Sequence, residues 1–190
     1  MRLSPGLISN IFLAFAGITA YSLYKWYDNH RYCSHCGNRL VRHDKERMLY
    51  CEKCNNTEYP KIMPAVIIAV TNGNKILLSK YANREYTRYA LLAGFTEIGE
   101  TAEETVKREV MEEVGLTVKN IRYYKSQPWG FDSNLLLGYF CELAEEGEIR
   151  LDEEELSVAE WVDYHDIPED KEKLSLTHEM MTYFKEQRKR

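Results

Sequence analysis

The stretch Gly94–Leu116, GFTEIGETAEETVKREVMEEVGL, restricts the fold more than any other part of the chain. It begins on a glycine, places an acid at Glu100, gathers Arg108, Glu109, Glu112 and Glu113 within a short span, and stops at Gly115. The spacing predicts a helix from about Ala102 to Val114, on which Glu109, Glu112 and Glu113 stand at i, i+3 and i+4 and project from one face. Carboxylates crowded in this way repel one another. A solvated acidic stripe tolerates that repulsion. A hard divalent cation uses it, because Mg²⁺ and Mn²⁺ take oxygen ligands and substrate phosphates complete their shells. Arg108 is the natural internal counter-ion. A plain acidic stripe has no need of two glycines and an arginine at these offsets.

Written as G-x5-E-x7-R-E-V-M-E-E-V-G-L, the stretch resembles the Nudix box, G-x5-E-x7-R-E-U-x-E-E-x-G-U with U aliphatic, at every fixed position. The resemblance implies a Nudix hydrolase: an α/β/α sandwich around a mixed β-sheet that cleaves a pyrophosphate with the help of a bound Mg²⁺ or Mn²⁺.

Upstream, Cys33-Ser-His-Cys36 and Cys51-Glu-Lys-Cys54 form two C-x2-C pairs. Each pair presents two thiolates from a tight turn, eased after the first by Gly37, and four soft ligands close a tetrahedral shell around Zn²⁺. A complete shell leaves no open position for water, so the zinc is structural. The competing reading, a redox C-x-x-C, needs one pair within a βαβ unit. His35 is expected on the surface, and the fifth cysteine, Cys141, inside a strand. Thiolate zinc sites suit a reducing compartment, and a cytoplasmic protein is expected. The 190 residues suit one compact domain with a small accessory module: residues 1–31 as an N-terminal apolar helix, 32–59 as the ribbon and 60–190 as the hydrolase domain. A formal net charge of −5 offers no basic face for duplex nucleic acid.

Residues 7–24 are largely apolar and close to the length of a membrane span, which admits a membrane anchor facing the cytoplasm. Asn10, Thr19 and Ser22 oppose insertion, and no Lys/Arg cluster flanks the run. The alternative is a helix packed between modules or subunits.

Downstream of the ribbon, Ala65–Val70 and Lys75–Ser79 around Asn72-Gly73-Asn74 read as a buried hairpin. Tyr89–Ala93 leads into the box. Val118–Tyr124, Leu135–Leu143 and Ala159–Val162 read as further strands. Ser126–Phe131 reads as a loop, signalled by proline and glycine, and 142–155 as a mostly solvated acidic stretch. Residues 171–190 read as a closing helix.

A four-cysteine ribbon, Tyr59-Pro60 just after it, and Ser126-Gln-Pro-Trp129 downstream of the box together resemble the NADH pyrophosphatase (NAD diphosphatase) family. In that family the last array reads S-Q-P-W-P-F-P-x-S; here Gly130 and Asp132 stand in place of prolines and Asn134 in place of serine. The resemblance covers about Ala16 to Met181, and family members place a helix ending in tryptophan before the first knuckle, as Ala20–Trp26 does, which favours a packed helix over an anchor. It implies hydrolysis of NAD(H) to nicotinamide mononucleotide and AMP. Related outcomes are hydrolysis of ADP-ribose or of NAD-capped RNA ends, and, outside catalysis, a nucleotide-sensing Nudix and ribbon module. By the same resemblance Glu109, Glu113, the carbonyl of Ala93 and Glu155 hold the catalytic cation, with Glu153 and Glu154 as neighbouring acids in the same run. Glu112 is a ligand or the general base, and Arg108 orients the carboxylates. Tyr59 and Phe95 sandwich the nicotinamide; for Phe95, core packing is the competing role. Glu46, Gln127, Pro128, Trp129, Gly130, Phe131, Asp132, Ser133, Asn134 and Thr177 line the rest of the pocket, with a structural role open for Trp129. Family members are commonly homodimers.

Overall fold

The computed structural model describes residues 11–83, 87–169 and 175–189. The start of the apolar run (7–10), part of the polar stretch before the box (84–86) and the start of the expected closing helix (171–174) lie outside the described residues. Two compact units emerge: Met1–Ile62 with Pro128–Asn134, and Met63–Gln127 with Leu135–Arg190.

In the first unit, helix α1 (Ile11–Asn29) runs into a three-stranded antiparallel sheet of short strands, β1 (Val41–Arg42), β2 (Leu49–Tyr50) and β3 (Thr57–Glu58). The helix is tied to the ribbon through its last turns: Trp26 is buried among Cys33, Leu40, Leu49 and Cys51, with Tyr27 packed alongside. Arg42 lies over the Tyr27 ring at 4.4 Å. Among the described residues no helix is long and apolar enough to cross a membrane.

The second unit is built on β4 (Met63–Asn72), whose run Ala65–Val70 is fully buried. The same strand pairs twice. Its end forms the expected hairpin with β5 (Lys75–Tyr81), in register Thr71↔Ile76, through a turn where Gly73 takes a φ of +56°. Its beginning pairs antiparallel with β6 (Leu92–Phe95), in register Val66↔Gly94 and Ile67↔Ala93. The remaining strands, β7 (Val118–Trp129), β8 (Asn134–Leu143) and β9 (Leu156–Asp163), complete a mixed sheet in the order β7-β8-β4-β5-β9.

Two helices cover opposite faces. Helix α2 (Ala102–Val114) buries Val106, Val110 and Val114 against Val66, Ile68, Val70, Tyr139 and Cys141. Helix α3 (Leu176–Arg188) packs on the other side, where a side chain at Gly138 would meet Met180 and Leu176 and where Phe140 meets Tyr183. Residues 138 and 140 of β8 face α3 while 139 and 141 face α2, which is the two-residue period of a strand. On the α2 side the buried cluster is Val66, Ile68, Val70, Leu77, Val106, Val110 and Val114, and on the α3 side Leu176, Met180, Met181 and Phe184 are buried as well.

Sequence and structure part at one strand. Ser126–Trp129, expected in a loop, continues β7. Because β7 is the outer strand of the sheet, Pro128 withholds an N–H that no neighbour requires. The turn shrinks to Gly130–Ser133, with Ser133 in the left-handed region at φ +59°.

Candidate active site

Helix α2 begins on a reciprocal cap: Thr101 accepts from the Glu104 N–H, and Glu104 accepts from the Thr101 N–H at 2.8 Å. It ends on Gly115 in the left-handed conformation. Between the caps the valines repeat every four residues. Glu109 and Glu113 follow Val106 and Val110 by three, so they share the buried arc and are carried down to the sheet, with 8% and 3% of their surface exposed. Glu112 falls at the edge of that arc and stands exposed. The three carboxylates expected together are therefore split into a buried pair and a surface partner.

Beneath the pair, strand β6 presents a glycine. A Cβ at Gly94 would lie 1.8–2.2 Å from the carboxylate atoms of Glu109. Glu109 thus occupies the space of the missing side chain, and neighbouring Ala93 is fixed opposite Ile67.

Arg108 holds this arrangement from the outside. Its Nε donates to Glu100 Oε1 at 2.6 Å, Nη1 to Glu109 Oε1 at 2.8 Å and to Glu112 Oε2 at 2.9 Å, and Nη2 to the Phe95 carbonyl at 2.9 Å and to Glu100 Oε2 at 3.0 Å. Glu100 also accepts from the buried Thr105 hydroxyl at 3.0 Å and from the Glu97 N–H. The guanidinium beside it holds the Glu100 carboxyl at about 2.

Glu113 has no such support. Both its carboxylate oxygens are buried and lack a hydrogen-bond partner. Burial, and then the nearby charges of Glu109 and Glu155, push its pKa up to about 8; the Ala93 N–H opposes this without reaching hydrogen-bond geometry. Glu109 is also raised by burial, with Arg108 pulling the other way. Buried carboxylates left without donors are costly unless something positive meets them. One unpartnered buried carboxylate, Glu113, next to a second, Glu109, that Arg108 meets on one oxygen only, fits a divalent, oxygen-loving cation.

Glu155 is brought to this corner by the last turn of α2. The Glu113 and Val114 carbonyls, which the ending helix leaves unpaired, accept from the N–H groups of Asp152 and Arg150 at 3.0 and 2.9 Å. Asp152 O then accepts from the Glu155 N–H, and Glu155 O from the Ala82 N–H. Part of the acidic stretch read as solvent-facing is thus the lashing of the candidate catalytic helix. Asp152 and Thr105 escaped sequence reasoning because their contribution is a backbone bond and one hydroxyl; Gly94 was visible only as the first letter of a motif.

The four cysteine sulfurs lie within 4.8 Å of one another. The Cys33–Cys54 and Cys36–Cys51 sulfurs are 3.6 and 3.5 Å apart, against about 3.8 Å for a tetrahedron with Zn–S bonds of about 2.3 Å. The knuckles are near copies. Gly37 and Asn55 donate to Cys33 O and Cys51 O and take φ of +72° and +57°, while the Asn38 and Asn56 amides donate to Cys36 Sγ and Cys33 Sγ. Donation from Asn38 lowers the Cys36 thiol to about 6, ready for metal. These residues fit Zn²⁺. His35 is exposed and Cys141 buried, as expected.

Of the expected substrate residues, Tyr59 and Glu46 meet within the first unit: the Tyr59 hydroxyl donates to Glu46 Oε2 at 3.0 Å, and about half of the tyrosine stays exposed. In the same unit the Trp129 and Phe131 rings, flanking Gly130, meet in a tilted contact with centroids 5.1 Å apart. Pro128 and Asp132 are exposed, Gln127, Ser133 and Asn134 half-buried, and the Asn134 Oδ1 is buried without a partner. In the second unit Phe95 is 53% exposed and so is not a core residue, and Thr177 is half-buried in the first turn of α3.

Residues 61–182 match the NUDIX domain family, and residues 28–59 the NADH pyrophosphatase zinc ribbon domain. The chain is 42% identical over 147 residues to the NAD-capped RNA hydrolase NudC of Pectobacterium carotovorum, which covers 77% of this chain and 56% of that protein. It is 40% identical over 164 residues to the protein of the same name from Klebsiella pneumoniae, covering 86% and 61%. The chain thus spans little more than half the length of these curated relatives. A solved NUDIX hydrolase from Nitrosomonas europaea superposes over 84% of this chain and 92% of its own, with a TM-score of 0.70 and 24% identity, a likeness of fold.

Proposed function

The chain belongs to the NUDIX family, and from that premise we propose that it hydrolyses the pyrophosphate bond of NAD(H), giving nicotinamide mononucleotide and AMP. One observation carries the proposal: Glu113 is buried with both carboxylate oxygens unpartnered, beside Glu109 and within the field of Glu155. Such a group destabilises an empty fold and is explained by what it binds. Glu109, Glu113, the Ala93 carbonyl and Glu155 would hold the cation. When bound, Mg²⁺ or Mn²⁺ neutralises the two phosphates and acidifies a coordinated water.

The protein's own groups do the rest. Water oxygen bonds to one phosphorus as the bridging P–O bond breaks, and the water's proton passes to a carboxylate. Glu112, exposed beside Arg108, serves either as that base or as a further ligand; a fall in kcat for Glu112→Gln with Mn²⁺ affinity unchanged marks the base, and weakened Mn²⁺ affinity marks the ligand. Arg108 spends its donors on Glu100, Glu109, Glu112 and the Phe95 carbonyl, which fixes the carboxylates before substrate arrives. The ribbon and the Trp129–Phe131 tip support a dinucleotide with a stacking ring, Tyr59 and Phe95 being the expected sandwich.

NAD-capped RNA ends present the same bond, and the names of the relatives favour them as a second substrate. A cytoplasmic location belongs to the same proposal, supported by a thiolate zinc site suited to a reducing compartment; a homodimer is what the resemblance to the NADH pyrophosphatase family implies.

The test is product analysis with Mn²⁺ or Mg²⁺ on NADH, NAD⁺, ADP-ribose and NAD-capped RNA, with Glu113→Gln as control. NADH cleavage that falls by at least about a hundredfold in the variant is expected. Turnover of none of them defeats the enzyme reading, and a large preference for ADP-ribose defeats the NAD(H) assignment.

A further inference from the structure

The sequence offers Ser22 only as a polar interruption of an apolar run, but in the structure it reaches the turn between β7 and β8. Ser22 Oγ lies 2.7 Å from the Gly130 carbonyl oxygen and 2.9 Å from that of Ile18, one helical turn back. A serine hydroxyl has one proton to give, and the shorter contact is to Gly130. Ile18 closes on the same residue: a Cβ at Gly130 would stand 3.0 Å from both Ile18 Cγ1 and Cγ2. Gly130 is not among the glycines in the left-handed region, so space rather than backbone conformation excludes a side chain there. A hydrogen bond and a close packing contact thus pin one residue of the turn to α1.

The residues on either side of that pin are Trp129 and Phe131, whose rings meet at a tilt of 52° with centroids 5.1 Å apart. In the array this segment resembles, prolines occupy the positions of Gly130 and Asp132, and a proline ring fixes φ covalently. Glycine gives up that restraint and leaves more conformational freedom to be lost. The helix restores it from outside.

We propose that α1 is a positioning element for the base-recognition turn, with Ser22 and Ile18 holding Gly130 so that Trp129 and Phe131 meet the substrate's ring in one preset geometry. The proposal rests on the dinucleotide reading above. Ser22 and Ile18 touch no substrate; they act through the turn, so their effect falls on KM rather than on the chemical step.

Two measurements on the full-length, zinc-loaded protein test it. In steady-state kinetics on NADH with Mn²⁺, Ser22→Ala and Gly130→Ala raise KM about three- to tenfold, the size of one lost hydrogen bond, while kcat and zinc content hold. Ser22→Thr, which keeps the donor, restores KM, and Ile18→Ala added to Gly130→Ala restores it by making room. In limited chymotrypsin digestion, cleavage after Trp129 or Phe131 is severalfold faster in Ser22→Ala and Gly130→Ala than in the parent. Unchanged cleavage overturns the clasp whatever the activity. Faster cleavage with unchanged KM, or with kcat falling in step with zinc, overturns the positioning role and leaves α1 as structural support. Faster cleavage in a protein that hydrolyses no dinucleotide defeats the substrate reading and the positioning role with it, while the clasp itself stands.

Discussion

Glu113 is where function and stability oppose each other most directly. Its carboxyl is raised to about 8 by burial and by Glu109 and Glu155, against about 4.3 in the unfolded chain. A group raised in this way favours the folded state only while protonated. Its contribution is intact below about pH 4 and is lost as pH climbs toward 8, the direction opposite to that of Glu100, which Arg108 holds at about 2 and whose support is lost only as pH falls through the acid range. In zinc-loaded protein without Mg²⁺ or Mn²⁺, Glu113→Gln should therefore melt higher than the parent at about pH 8 and near it at about pH 5, with a gain on the order of 2 kcal/mol at the upper end. Thermal melts at the two pH values measure this, and a gap that shrinks with rising pH refutes it. The position of Glu113 in a motif was legible in the sequence. Its isolation was not, because the missing hydrogen bonds are a property of what surrounds it.

Among the elements, α2 and β6 are one device. The helix was readable from its caps and from valines recurring every four residues; the strand is four residues long and carries no alternation of its own. What gives β6 its role is register: Gly94 opposite Val66 leaves the space Glu109 fills. A slip of one residue would put the side chain of Ala93 or Phe95 under the helix. Gly94→Ala imitates that error in a single atom. It should displace the Glu109 carboxylate and cut NADH turnover at least about tenfold while zinc content is unchanged. Full activity in the variant would show that the helix can ride up by an ångström without cost. The continuation of β7 through Pro128 was hidden for a related reason, since proline marks a break in most strands and is harmless only on an edge, and edge position is decided by strands far away in the chain.

Among the described residues, one buried cluster is built around Val66, Val110 and Tyr139 and another around Trp26 and the cysteines. Cysteine spacing announced the second, because thiolate pairs advertise their ligand, and a zinc-held core that small depends on its metal. Cys51→Ser should lose about one zinc per chain and gain a low-temperature transition seen in the near-ultraviolet signal of Trp26, while the main melting transition of the larger core persists. A single merged transition would show that the cores unfold together. The two units are not consecutive stretches of chain: the first takes residues up to 62 and then Pro128–Asn134, threaded through the middle of the second. Exchange of parts between relatives is constrained accordingly. A ribbon and its helix transplanted from another protein at the 62/63 junction would arrive without Pro128–Asn134, the seven-residue segment whose Gly130 the helix holds. The inheritable piece is therefore discontinuous, a helix at one end of the chain and a turn in the middle that must vary as a matched pair, so that a glycine at 130 and an isoleucine at 18 are in effect one choice made in two places.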